Sequence, residues 1–111
     1  MSTFITVATI SEIPVGQTRV VSIAGRSIAL CHVENDGLYA IDNICTHDDG
    51  PLGEGKLNQD CIECPRHGAL FNVKDGKAKT LPAIGRVSTH EVRVVDGEVQ
   101  VALNPVTSTG L

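Results

Sequence analysis

The chain is predicted to fold as a small all-β domain, on three observations. Apolar residues recur in short runs, several with the two-residue alternation of half-buried strands. Gly, Asn, Asp and Pro clusters punctuate those runs at hairpin-like intervals. No stretch of about ten residues or more combines helical periodicity with capping residues.

The elements follow in order. Ile5 and Val7 flank polar Thr6 and form an opening strand, and Pro14-Val15-Gly16-Gln17 makes the first turn. Val20 to Ile23 and Ser27 to Val33, split at Ala24-Gly25, read as a hairpin. Asn35-Asp36-Gly37 is a second turn, leading into a strand from Leu38 to Ile41. Near the end, Val92 and Val94 alternate with Glu91 and Arg93. Asp96-Gly97 then reverses the chain into Val99, Val101 and Leu103. This closing hairpin is the clearest local signal.

The middle differs. Residues 43–86 lack a sustained apolar pattern, hold three of the five prolines and carry two Cys/His pairs. Something other than hydrophobic burial must order this stretch, and a metal centre is the natural candidate. The domain is expected to span residues 1–104, with a loop-built subdomain at about 43–86 and a flexible tail at 105–111.

Composition narrows the function. The 111 residues suit one domain, and 41% hydrophobic residues is a globular value. The net charge of −4, the lack of a Lys/Arg cluster and the absence of Trp argue against nucleic-acid binding. No apolar run approaches the roughly 18 residues of a membrane span. Met1 to Val7 shows no basic segment followed by an apolar core, so a cytoplasmic location is expected. In a reducing compartment the four cysteines read as thiols or metal ligands and not as structural disulfides.

Two motifs carry the chemistry: Cys45-Thr46-His47 and Cys64-Pro65-Arg66-His67, with sixteen residues between His47 and Cys64. Each gives one thiolate and one imidazole from a tight loop. A zinc finger pairs Cys with Cys and His with His at wider His spacing, so mixed pairs fit it poorly. Cys61-Ile62-Glu63-Cys64 is formally a dithiol motif, but no helix pattern follows to activate it. A two-iron, two-sulfide cluster with Cys on one iron and His on the other suits the donor set.

On these motifs, Cys45-Thr-His47 and Cys64-Pro-x-His67-Gly68, the chain resembles the Rieske-type [2Fe-2S] proteins, and within them the small soluble ferredoxins. The resemblance runs along most of the chain, including a Pro-containing loop at Leu81-Pro82. It implies the Rieske fold: an antiparallel sandwich or barrel-like base carrying a two-loop cluster-binding subdomain. It also implies that Cys45 and Cys64 hold one iron and His47 and His67 the other, with the imidazoles toward solvent as the docking and exit point. Gly50, Gly53, Gly55 and Gly68 would let the loops turn backbone N–H groups toward the sulfides.

Departures from high-potential relatives inform the redox expectation. Gly50 and Arg66 stand where those proteins carry a disulfide, and Ala69 and Phe71 stand where they carry Ser and Tyr hydroxyls. Two neutral imidazoles already raise Rieske potentials to roughly −150 to +300 mV. Without hydroxyl donors to stabilise the reduced form, the low end is expected.

Other Cys and His residues receive plainer readings. Cys31 lies in an apolar strand and is expected in the core, and Cys61 as a partly buried side chain. His32 and His90 are expected to be structural or surface groups. Asp48, Asp49 and Arg66 adjoin the ligands and either shape a docking surface or are simply solvated.

The sequence carries no second metal set and no dinucleotide fingerprint. The chain is therefore expected to be an electron carrier and not an enzyme. The resemblance implies a ferredoxin component of an aromatic-ring dioxygenase system, and a monomer is the default expectation for such a shuttle. It would take electrons from a flavin-dependent NAD(P)H ferredoxin reductase and pass them to a Rieske non-haem iron terminal oxygenase. The alternatives are a small subunit of a nitrite-reductase-like complex, or a general or iron–sulfur-assembly-associated ferredoxin.

Overall fold

The computed structural model describes residues 4–34, 37–43, 55–63, 70–77 and 87–104. Nine strands follow one another. They are β1 (Ile5–Thr9), β2 (Thr18–Ile23), β3 (Arg26–Val33), β4 (Gly37–Asp42), β5 (Leu57–Asn58), β6 (Cys61–Glu63), β7 (Leu70–Asn72), β8 (Thr89–Val95) and β9 (Glu98–Ala102). One 3₁₀ turn, Ile10–Glu12, follows β1. No α-helix occurs among the described residues, and the all-β class expected from the sequence holds.

The strands form two antiparallel sheets. The larger has the order β1-β9-β8-β4-β3-β2, and the smaller is β5-β6-β7. The large sheet curls until its two outer strands line a common slot, β1 through Ile5 to Val7 and β2 through Arg19 to Ile23. The result is a partly closed barrel. Its tight hairpins use the turn residues read from the sequence. Ala24 and Gly25 (φ 51° and 79°) join β2 to β3, and Asp96 and Gly97 (φ 51° and 81°) join β8 to β9. Two successive positive φ values match the right-handed twist of the flanking strands.

β3 explains how the sheets are joined. Ile28, Ala29, Leu30 and Cys31 are all fully buried, so the strand is covered on both faces. Because side chains alternate, Ile28 and Leu30 point into the barrel. There they meet Ile13, Ile23, Ala40, Val99 and Val101. Ala29, Cys31 and Val33 point the other way, into a second core with Ile41, Ile62, Phe71, Val73 and Val87. β3 and β4 are thus one wall between two cores, and the small sheet is held against that wall by Ile62 and Phe71.

Two details differ from the sequence reading. In β1 the register slips between Thr6 and Ala8, a β-bulge at Val7. Ala8, not Val7, therefore sits opposite Val99, and Ile5 is left 46% exposed. The unforeseen 3₁₀ turn is fastened by the Ile10 N–H to the Gly97 carbonyl at 2.8 Å. It is also held by the Thr9 N–H to the Glu12 carboxylate at 2.8 Å. That backbone donor, then the Thr9 hydroxyl and the Arg19 charge, lower the Glu12 carboxyl below its ordinary pKa.

Candidate metal centre

The first Cys/His segment re-enters the described fold at a point bonded to the departure of the second. β4 ends at Asp42, three positions before Cys45. The first segment comes back at Lys56, whose carbonyl accepts the N–H of Glu63 at 2.9 Å. Glu63 is the residue immediately before Cys64. The second segment is closed by the cross-strand pair of Glu63 with Leu70. One residue thus ties the exit of the first segment to both flanks of the second.

The Pro-containing stretch is anchored to the same framework. The Asp42 N–H donates to the Ser88 carbonyl at 2.9 Å, and the Val87 N–H to the Gly76 carbonyl at 2.8 Å. Cys45, His47, Cys64 and His67 themselves lie outside the described residues, as do Asp48, Asp49, Gly50, Gly53, Arg66, Gly68, Ala69 and Pro82. The tail at 105–111 lies outside them too.

The remaining Cys and His residues fall as expected. Cys31 is a free thiol with no exposure, and burial pushes its pKa up to about 12. Cys61 is half-buried in the middle of the small sheet, its Sγ 3.5 Å from an Asp60 carboxylate oxygen. His32 donates from Nδ1 to the Ile13 carbonyl at 2.7 Å. Among the described residues no three Cys, His, Asp or Glu side chains converge as a metal site. Phe71, fully buried, gives its ring to the second core and has no hydroxyl to offer.

His90 has partners the sequence did not signal. Its side chain has no exposure, and its Nε2 stands 2.8 Å from Asp42 Oδ1. Arg26 also reaches that carboxylate, at 3.0 Å. These residues lie far apart in the chain, so no local spacing announces them.

Two packed antiparallel sheets, with two Cys/His segments of which the first returns at a residue hydrogen-bonded to the start of the second, define a β-protein suited to a loop-bound metal centre. The chain belongs to the Rieske [2Fe-2S] domain family, whose model matches residues 3–95. The ferredoxin component of a naphthalene 1,2-dioxygenase system from Pseudomonas aeruginosa is 36% identical over 93 residues. That match covers 84% of this chain and 88% of the relative. Among solved structures, a chain in the complex of reduced oxygenase and oxidised ferredoxin of carbazole 1,9a-dioxygenase superposes with a TM-score of 0.84 at 37% identity. It covers 92% of this chain and 94% of its own. A chain assigned as an NADH-dependent nitrite reductase small subunit from Mycobacterium tuberculosis shares the fold, with a TM-score of 0.82 and 21% identity over 96% of this chain and 99% of its own.

The family's cofactor, a two-iron, two-sulfur cluster, suits what this chain offers. Two thiols and two imidazoles are the mixed donor set such a cluster requires. The bond between Lys56 and Glu63 sets the end of the first segment beside the start of the second. Among the described residues no helix is long and apolar enough to cross a membrane.

Proposed function

We propose that this protein is the ferredoxin of a multicomponent aromatic-ring dioxygenase system. It receives single electrons from a flavin-dependent NAD(P)H reductase and delivers them to the Rieske centre of a terminal oxygenase. The observation that carries this reading is the 36–37% identity, across more than four-fifths of the chain, to ferredoxins of such systems. The nitrite-reductase alternative has only a 21% likeness behind it, which speaks to the fold alone.

In this reading Cys45 and Cys64 hold one iron as thiolates, and His47 and His67 hold the other through one ring nitrogen each. The cluster supplies a one-electron store. The chain supplies the loops, shields the thiolate side and offers the imidazole side to partners. It turns over no small molecule by itself. A carrier must let go quickly, so its contact with each partner is small and steered by charge. The net charge of −4 suits a partner with a basic patch.

The test reconstitutes oxygenation of naphthalene or carbazole from purified reductase, terminal oxygenase and this protein. Product formation should saturate with added protein and fall as salt screens the docking charges. Turnover that is the same when the protein is omitted rejects the assignment. The dithionite-reduced protein should show an EPR signal with the low average g-value of mixed nitrogen and sulfur ligation. Cys45→Ser, His47→Ala, Cys64→Ser and His67→Ala should each abolish it.

A further inference from the structure

We propose that His90 is a positioning residue for the first ligand segment, acting through Asp42. The inference rests on the reading that residues 45 and 47 hold the cluster.

The geometry is a closed ring of three side chains, Arg26, Asp42 and His90, and the Asn104 backbone. The Asn104 N–H donates to His90 Nδ1 at 3.0 Å. With Nδ1 accepting, the ring proton sits on Nε2, which donates to Asp42 Oδ1 at 2.8 Å. Arg26 donates one guanidinium nitrogen to the same carboxylate oxygen at 3.0 Å and the other to the Asn104 carbonyl at 2.7 Å, closing the ring. The Asn104 side-chain amide donates to the Thr89 carbonyl at 2.7 Å and fastens the ring to β8.

The ring grips the chain where it leaves for the first ligand pair. Asp42 ends β4, and only Asn43 and Ile44 separate it from Cys45. Its backbone N–H is bonded to Ser88, and that of Asn43 to Ser27. The exit is therefore held from two sides, from β3 by Arg26 and from β8 by His90, and Asn104 braces both of these from the segment after β9.

Holding the fold alone would not call for this arrangement. Ala40, cross-strand neighbour of His90, packs in the barrel core beside aliphatic side chains, which could seal this position without any polar group. Buried polar groups stabilise little beyond such packing, but they are directional and accept one geometry only. Here that geometry belongs to the residue from which the ligand segment starts. Partners that orient ligands in this way govern how firmly a metal is kept.

Two substitutions divide the ring. His90→Gln places an amide N–H near the former Nε2 and keeps the bond to Asp42. His90→Asn keeps an acceptor for the Asn104 N–H but is too short to reach Asp42. Iron release to a chelator is followed by loss of visible absorbance well below each variant's unfolding midpoint, alongside EPR of the reduced protein. His90→Asn is expected to release iron about tenfold faster or more and to broaden the EPR features, with His90→Gln close to the unaltered protein. Val101→Ala, in the barrel core and away from the ring, is the control for lost stability. The inference is overturned if Val101→Ala sheds iron as fast as His90→Asn at matched thermal midpoints, or if Gln and Asn behave alike. Should His90→Asn fail to fold, Arg26→Gln decides the question by the same comparison, since Arg26 grips Asp42 from the partly exposed side. An unaltered protein that gives no two-iron EPR signal overturns the cluster reading and this inference together. A normal signal with insensitive variants overturns this inference alone.

Discussion

The bare Cα of Gly76 lies against the carbonyl oxygen of Val87, and the Gly76 carbonyl accepts the Val87 N–H at 2.8 Å. Gly76 also has a φ of +77°, where a side chain is strained whatever the space. Val87 is a buried member of the core beneath the small sheet. The two backbones touch because no Cβ intervenes, and the contact closes the base of the Pro-containing stretch.

Gly76→Ala should therefore destabilise the protein by more than about 2 kcal/mol, combining positive-φ strain with a Cβ driven into a backbone oxygen. Gly25→Ala is the matched control. It has φ +79° but open space around the Cβ position, and should cost only the strain of about 1 kcal/mol. Urea unfolding of both variants checks the difference. Equal losses would show that the Val87 contact yields freely.

Cys31 should be nearly inert to alkylation in the folded state. The thiolate is the reactive form, and burial alone raises this thiol to about 12. Cys61, half-buried in the small sheet, should react first. The same shift has a stability consequence. A pKa raised in the folded state favours the native form fully below the ordinary thiol value of about 8.5. That contribution is lost as pH climbs toward 12. Stability should decline across this window, and Cys31→Ala should flatten the decline while costing about 1 kcal/mol at neutral pH. Denaturant midpoints from pH 7 to 11 for the two proteins test it. Parallel curves would contradict the assignment.

Removing iron should loosen the small sheet while leaving the barrel intact. β5, β6 and β7 have two, three and three residues, too few to hold a sheet by themselves. Their anchors are Ile62, Phe71 and Val73 in the shared core, plus whatever the ligand segments supply. On chelation, amide exchange at Ile62 and Val73 should quicken strongly, while Leu30 and Val99 in the barrel keep their protection. Uniform loss of protection would mean that the metal supports both cores as one unit.

The legible parts of this molecule were those whose physics is local. Asp96-Gly97 and Ala24-Gly25 specify their hairpins through turn geometry alone. The unbroken apolar run of β3 marked Cys31 as core, because a strand covered on both faces loses its polar alternation. The bulge at Val7 was not legible, since the register of β1 depends on β9, more than ninety residues away. Strands as short as β5 to β7 cannot display a period. The two Cys/His pairs announced themselves by spacing, because a chelating loop must be short. The Arg26–Asp42–His90–Asn104 ring left no trace, since its members are scattered along the chain and meet only in the folded barrel. His90 accordingly read as one more structural or surface histidine.

The last prediction concerns the reduction potential. Ala69 and Phe71 stand where high-potential relatives carry hydroxyls, and the Phe71 ring is fully committed to an apolar core. The protein should therefore sit near the lower end of the roughly −150 to +300 mV family range. Adding one donor should move it. A hydroxyl bonded to a cluster sulfur favours the reduced, more negative state by about 1 to 1.5 kcal/mol. For a one-electron couple that corresponds to a rise of about 45 to 65 mV. Ala69→Ser is the variant of choice, because it restores the hydroxyl found there in high-potential relatives and leaves Phe71 itself unaltered. Phe71→Tyr should gain less, since its hydroxyl must also be accommodated beside Ile62 and Val73, and should cost stability. Voltammetry at neutral pH on the three proteins gives the ordering directly. A parent potential well above zero, or an Ala69→Ser variant that does not shift upward, would falsify the expectation of a low potential set by missing hydroxyl donors.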